Sequence, residues 1–383
     1  MAPTWSAVGR SISAENALSA GCAAGTRCAF VCAMLDASAR SFAPLAPLLA
    51  LVALCAITPA CASASSDDGS VGVDDYRSKK GKLQLVVTVD WEGRELRDDN
   101  LRAMEDLRTK FPQLKIVQFL NAAYFVKDGA VAADVATQMR RALRPGDEKG
   151  LHIHGWKRLF EASGVTFRAS PTFWGTSLDA HGQECSDDCG HEVPISLYTE
   201  GELRKVVKLS LDTLETNGFG RAKSFRCGGW MAKLPVREAV AAEGIRYEHS
   251  AVPTVFLQPK LGTMPVYGWL SELWQGTTNV SQPYAINTAT TPLTEVPDNG
   301  ALADYVSAQQ MIDTFEANKA AFLQDRKKSV VFSIGFHQET AATCLPQLEE
   351  ALTRIYAETK AENIPFENVT SEAVTAVATV ATP

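Results

Sequence analysis

The chain has 383 residues, of which 46% are apolar and 21% charged, an ordinary balance for one large globular domain or two smaller ones. Residues 1–60 carry three Lys/Arg against two Asp/Glu, so the rest carries 34 against 42, or −8 of the net −7. A body this acidic argues against a nucleic-acid partner, because backbone phosphates demand a basic surface.

Arg40 precedes an uncharged run over residues 41–60 (SFAPLAPLLALVALCAITPA), followed by small and then polar residues, the order of an export signal. A membrane-spanning anchor is the alternative, but the length is marginal and Pro44, Pro47 and Pro59 oppose a continuous helix. Two cleavage sites compete. Thr58-Pro59-Ala60-Cys61 resembles a bacterial lipoprotein box, which would place a lipid on Cys61, and Ala62-Ser63-Ala64 fits ordinary signal cleavage. The first 33 residues lack a basic start region, whereas Met34 puts Arg40 and the apolar run where a signal needs them, so Met34 is the expected start. Residues 1–61 thus read as a leader and 62–82 as a polar tether. The expectation is a periplasmic or cell-surface lipoprotein that meets the membrane only through its lipid.

From Lys82 onward apolar β-type runs alternate with amphipathic helical ones. Leu83 to Val89 reads as a buried strand, Asn100 to Phe111 as a helix, Ile116 to Leu120 as a strand, Val131 to Leu143 as a helix and Gly150 to His154 as a third strand. Thr199 and Glu202 form a capping box opening a helix whose Leu203, Val207, Leu211 and Leu214 share a face. Ser224 to Arg226 is a strand end, Val236 to Gly244 a helix and Ala303 to Leu323 a longer one. Ser329 to Phe336 is the clearest strand, before a helix over Pro346 to Lys360 and a last strand over Pro365 to Val369. The alternation implies parallel βαβ units. With no Gly-x-Gly-x-x-Gly after any strand, a single (β/α) barrel over residues 83–383 is favoured over a nucleotide-binding open sheet. Residues 157–198 and 249–300 break the rhythm and read as irregular insertions with functional aromatics.

Past the leader and Cys61 the cysteines are Cys185, Cys189, Cys227 and Cys344. Cys185 and Cys189 share a polar loop (ECSDDCGHE), where a local disulfide is the first reading and metal thiolates beside His191 the second. No Gly-x-Ser-x-Gly elbow supports a serine hydrolase.

Residues suited to catalysis fall at strand C-terminal ends: Asp90 and Glu92, His152 and His154, Arg226, and His337. In a (β/α) barrel these ends share one rim, where such folds place their sites. The segments TVDWEG (88–93), DEKGLHIHGW (147–156), SFRCGGW (224–230) and SIGFHQE (333–339) resemble, in order and spacing over about Leu83 to Val374, the motifs of the polysaccharide deacetylase, or NodB-homology, family. That resemblance implies a distorted (β/α) barrel, a single catalytic domain that removes acetyl groups from N-acetylated sugars with a divalent metal, commonly zinc. It further implies Asp90 as base, Arg226 orienting it, His337 as general acid, and Glu92 and His152 as metal ligands.

One departure concerns the second ligand. The family has His-x-x-x-His, but Trp156 stands four residues after His152; His154, two residues on, would point to the same face of a strand and is taken as the replacement. His191 and His249 are spare candidates. Trp156, Trp174, Trp230, Trp269 and Trp274 fall in rim or irregular segments and are candidates for stacking on sugar rings, with core packing the simpler account of Trp230. The expected function is N-deacetylation of a cell-envelope or extracellular polysaccharide. The alternatives are a glycan-binding relative without the metal and an amidohydrolase of non-sugar amides.

Overall fold

A computed structural model describes residues 80–181, 188–374 and 378–379, all within one compact unit, Val73–Pro383. The leader, Cys61, most of the tether and Cys185 lie outside the described residues.

The first half of the chain forms β1 (Leu83–Asp90), α1 (Asp98–Lys110), β2 (Val117–Leu120), α2 (Ala132–Arg140), β3 (Glu148–Ile153), α3 (Lys157–Ala162), α4 (Glu200–Thr216), β4 (Ser224–Cys227) and α5 (Leu234–Ala242). The second half forms β5 (Tyr247–Glu248), α6 (Gln258–Leu261), α7 (Pro265–Leu273), β6 (Tyr284–Ile286), β7 (Leu293–Glu295), α8 (Ala308–Gln324), β8 (Val330–His337), α9 (Ala341–Ala361), β9 (Phe366–Val369) and β10 (Ala378–Thr379). The strands run in the order β10-β6-β7-β5-β4-β3-β2-β1-β8, and β9 pairs with the first half of β1. All pairs are parallel except β6 with β7.

The sheet curls into the expected distorted (β/α) barrel, and the segment after β7 closes it. Val296 N–H bonds to Glu248 O at 2.7 Å on one side, while Gly300 N–H bonds to Ser333 O at 2.8 Å and Ala303 N–H to Gly335 O at 2.8 Å on the other. Seven of the eight residues of β1 are buried, as befits a strand between side chains inside the ring and helices outside it. Helix α4 shows why the helices form where they do. The Thr199–Glu202 capping box satisfies its first amides, Leu203, Val207, Leu211 and Leu214 bury one face, and Gly218 follows its end at φ 80°.

Three elements differ from the sequence reading. α8 begins at Ala308, capped by a Ser307–Gln310 box, so residues 303–306 are rim loop rather than helix. α9 begins at Ala341 and carries Pro346 inside it, its start held from outside by Asn100 Oδ1, which accepts from Ala342 N–H at 3.0 Å. Residues 249–300 hold α6, α7 and the β6–β7 hairpin, whose short strands are below the length at which alternation shows.

Candidate active site

Strand register sets the site. Asp90 on β1 lies level with His337 on β8, and His152 on β3 lies level with Arg226 on β4. Level residues on neighbouring strands face the same way, so these four point together at the C-terminal rim. Arg226 is fully buried: its Nη1 donates to Asp90 Oδ1 and to Thr88 Oγ1, both at 3.0 Å, and its Nε to His249 O at 2.9 Å. Its Nη2 lies 3.3 Å from Asp298 Oδ1. Burial pushes the Asp298 carboxyl up to about 6, the charge of Asp90 adding to it and Arg226 opposing.

Glu92, two residues beyond β1, is buried among four imidazoles. Its Oε2 lies 2.7 Å from His154 Nε2 and 2.5 Å from His191 Nε2, and its Oε1 lies 3.4 Å from His152 Nε2 and 3.3 Å from His337 Nε2. Burial alone would raise this carboxyl, but His154 and His337 hold it well below the usual carboxylate range. The outer ring nitrogens fix the tautomers. His152 Nδ1 lies 2.8 Å from Arg226 O and His154 Nδ1 2.7 Å from His191 O. A carbonyl only accepts, so each Nδ1 carries a hydrogen and each Nε2 is the ring atom turned toward Glu92.

The remaining two imidazoles are shifted upward. Burial opposes their charge, but hydrogen bonds to Glu192 and Glu92 lift His191 to about 9, and Asp304 and Glu92 lift His337 to about 10. His337 Nδ1 lies 2.8 Å from Asp304 Oδ2, and Asp304 also accepts from the Thr340 hydroxyl. His154 goes the other way, lowered to about 4 by burial and by the charge of His191.

This arrangement fits a metal. Glu92, His154 and His191 present donor atoms within 4.8 Å of one another, as do Asp90, Glu92 and His152. Glu92 Oε1 and His152 Nε2 are buried without a hydrogen-bond partner, which a divalent cation would supply. One carboxylate and several imidazoles is a donor set that suits zinc.

His191 arrives from the 157–198 segment through close backbone approach. Lys157 N–H bonds to Cys189 O at 2.8 Å, and a Cβ on Gly155 would sit 2.5 Å from Val193 O and 2.8 Å from Gly190 O. Cys189 is disulfide-bonded; Cys185, its partner in the sequence reading, lies outside the described residues.

A cavity of about 330 Å³ is lined by Asp90, Glu92, His152, His154, His191 and His337, with Phe173, Trp230, Lys260 and Tyr305 around them. Of the five candidate tryptophans only Trp230 lines it. Trp156 and Trp274 are each 4% exposed, their indole N–H groups bonded to Glu92 O and Trp230 O, which makes them structural. Trp269 lines a different groove, and Trp174 is half-buried away from the cavity lining. His249 is also elsewhere, buried with Nε2 2.8 Å from Ser371 Oγ. Asp304, Asp298 and Glu192 join the site although sequence reasoning named none of them.

No family model matches the chain, and no curated protein matches it. Solved structures similar to it include a protein assigned as a polysaccharide deacetylase from Mycobacterium smegmatis, at 12% identity and TM-score 0.47, covering 81% of this chain and 96% of that one. A 4-alpha-glucanotransferase from Thermococcus litoralis is similar at 12% identity and TM-score 0.44, over 79% of this chain and 42% of that one. A family 4 carbohydrate esterase from Streptomyces lividans, in complex with acetate, is similar at 11% identity and TM-score 0.35, over 79% and 98%.

Proposed function

We propose that this chain is a metal-dependent hydrolase that removes N-acetyl groups from a cell-envelope or extracellular polysaccharide. The observation that carries the reading is the buried Glu92 carboxylate with the Nε2 atoms of His152, His154 and His191 turned toward it, and Glu92 Oε1 and His152 Nε2 left unpartnered. Glu92, His154 and His191 would hold the ion, zinc by donor chemistry, with His152 at the other carboxylate oxygen. Bound there, it would polarise an amide carbonyl and acidify a water.

The chain's own groups do the proton work. Asp90, held as an acceptor by Arg226, takes the proton of the attacking water. His337, kept protonated through Asp304, gives a proton to the departing amine. Phe173, Trp230 and Tyr305 offer apolar faces for the sugar. Among the described residues no helix is long and apolar enough to cross a membrane. Export, with a lipid on Cys61, is proposed from residues 41–61 alone.

Metal analysis of the mature protein and acetate release from chito-oligosaccharides test the reading together. One equivalent of metal with acetate released supports it. No metal and no acetate from any glycan would hand the barrel to the glycan-binding alternative, and release of an acid from a non-sugar amide alone would hand it to an amidohydrolase.

A further inference from the structure

A second groove, of about 550 Å³, lies between the start of α5 and α7, lined by Lys233, Arg237, Trp269, Glu272 and Asn287 among others. Two indoles, Trp274 and Trp230, link it to the catalytic cavity. Arg237 stacks 4.8 Å over the Trp274 ring, Trp274 Nε1 donates to Trp230 O at 2.8 Å, and Trp230 lines the cavity.

Arg237 is 7% exposed, yet among the described residues its guanidinium makes neither a hydrogen bond nor an ion pair, and its Nε is buried and unsatisfied. A buried charge without a partner is costly, and proteins ordinarily pair it. Glu295 is an acid whose field reaches Arg237, but it makes no ion pair with it, and burial and the neighbouring Glu248 push its carboxyl well up. Stacking on Trp274 stabilises the cation but leaves its donors open. Lys233 at the lip adds a second positive charge, offset by the exposed Glu272, and the half-buried Trp269 offers a ring face.

We propose that this groove binds an acidic sugar unit, its carboxylate taken by the Arg237 fork and Lys233 and its ring stacked on Trp269. A guanidinium matches a carboxylate in geometry as well as charge, and an indole face suits a pyranose ring. Resting on the deacetylase reading, the inference makes the polymer processed next door an acidic glycan.

The test is calorimetric titration of the full mature chain in a His337→Ala background, which slows turnover, with three probes: a hyaluronan hexasaccharide, chitohexaose and inorganic phosphate. The uronate-bearing hexasaccharide should bind about tenfold or more tighter than chitohexaose, the size expected of a charge-assisted hydrogen bond. Arg237→Gln and Trp269→Ala should each remove that preference. Because Trp269 is only half-buried, its variant keeps the test open if Arg237→Gln fails to fold. Equal affinity for the two hexasaccharides overturns the inference. So does a preference that survives Trp269→Ala, or tight phosphate binding without preference between the glycans. Metal content and acetate release of the parent are read separately, so a protein that prefers the uronate but releases no acetate keeps this site and loses the deacetylase reading.

Discussion

Trp156 donates its indole N–H to the backbone carbonyl of Glu92 at 2.7 Å. The position where the resemblance expects a ligand histidine is therefore occupied by a residue that fixes the backbone of Glu92, and in the proposed ligand set the missing imidazole would come from His191. Trp156→Phe removes the donor and shrinks a buried ring, so the melting temperature should fall as well. Metal affinity should fall about tenfold to a hundredfold, as for other groups that orient ligands, measured at a temperature where the variant is folded. Competition titration against a chromophoric chelator measures it, and unchanged affinity would count against the role.

Removing single imidazoles separates holding the metal from moving protons. His154→Ala and His191→Ala should lose metal outright. His337→Ala should retain it while turnover falls by about 10² to 10⁴. A His191→Ala protein that holds metal as the parent does would return the ligand set to Glu92, His152 and His154.

Gly228 is placed so that the site can be damaged without touching a ligand. A Cβ there would lie 2.7 Å from His154 Cγ and 2.7 Å from Ile153 O, and the backbone oxygen cannot yield. Gly228→Ala should displace the His154 ring and weaken metal binding while far-UV circular dichroism stays that of the parent. Intact metal affinity would show that the ring has room the structure does not reveal.

Asp304 carries a pH signature. Burial raises its carboxyl, but the charge of His337 and the hydrogen bonds it accepts outweigh that and bring it down to about 2. A depressed carboxylate contributes stability above its unfolded pKa and loses it as pH falls through the folded value, so the window is roughly pH 4 to 2. Asp304→Asn should cost about 2 kcal/mol at neutral pH and show a shallower loss of stability through that window. Urea unfolding at stepped pH reads both, and parallel curves for the two proteins would contradict it.

The barrel was legible because β1, α4 and β8 each combine an unbroken pattern with a clear stop, and the rim residues followed from the strand ends. What stayed hidden was long-range or short. His191 meets His154 across 37 residues through a glycine-permitted approach that no local pattern encodes. The β6–β7 hairpin has three-residue strands. Asp304 was lost for a different reason: a helix drawn from Ala303 absorbed it, although Ser307 and Gln310 spell a capping box that would have moved the helix start and freed the residue for the rim. The sequence could not sort the tryptophans, because aromatic content in irregular segments does not distinguish a ring facing a cavity from one whose N–H, as in Trp156 and Trp274, is committed to a carbonyl.

The ring closure along residues 293–303 gives the barrel a seam. Eight register pairs stitch β1 to β8, but among the described residues the far flank of β8 has no strand ladder and is held by single amides of an irregular strip, Gly300 and Ala303 among them, and by the side chains of Asn299 and Gln282. Such a join is where local opening is cheapest, so breathing of the barrel would begin there rather than between long strands. The same strip carries Asp298 and leads into Asp304. Each such excursion would therefore carry the Asp298 contact to Arg226 and the Asp304 contact to His337 with it, so that the rigidity of the two proton-handling groups depends on the least secured edge of the fold.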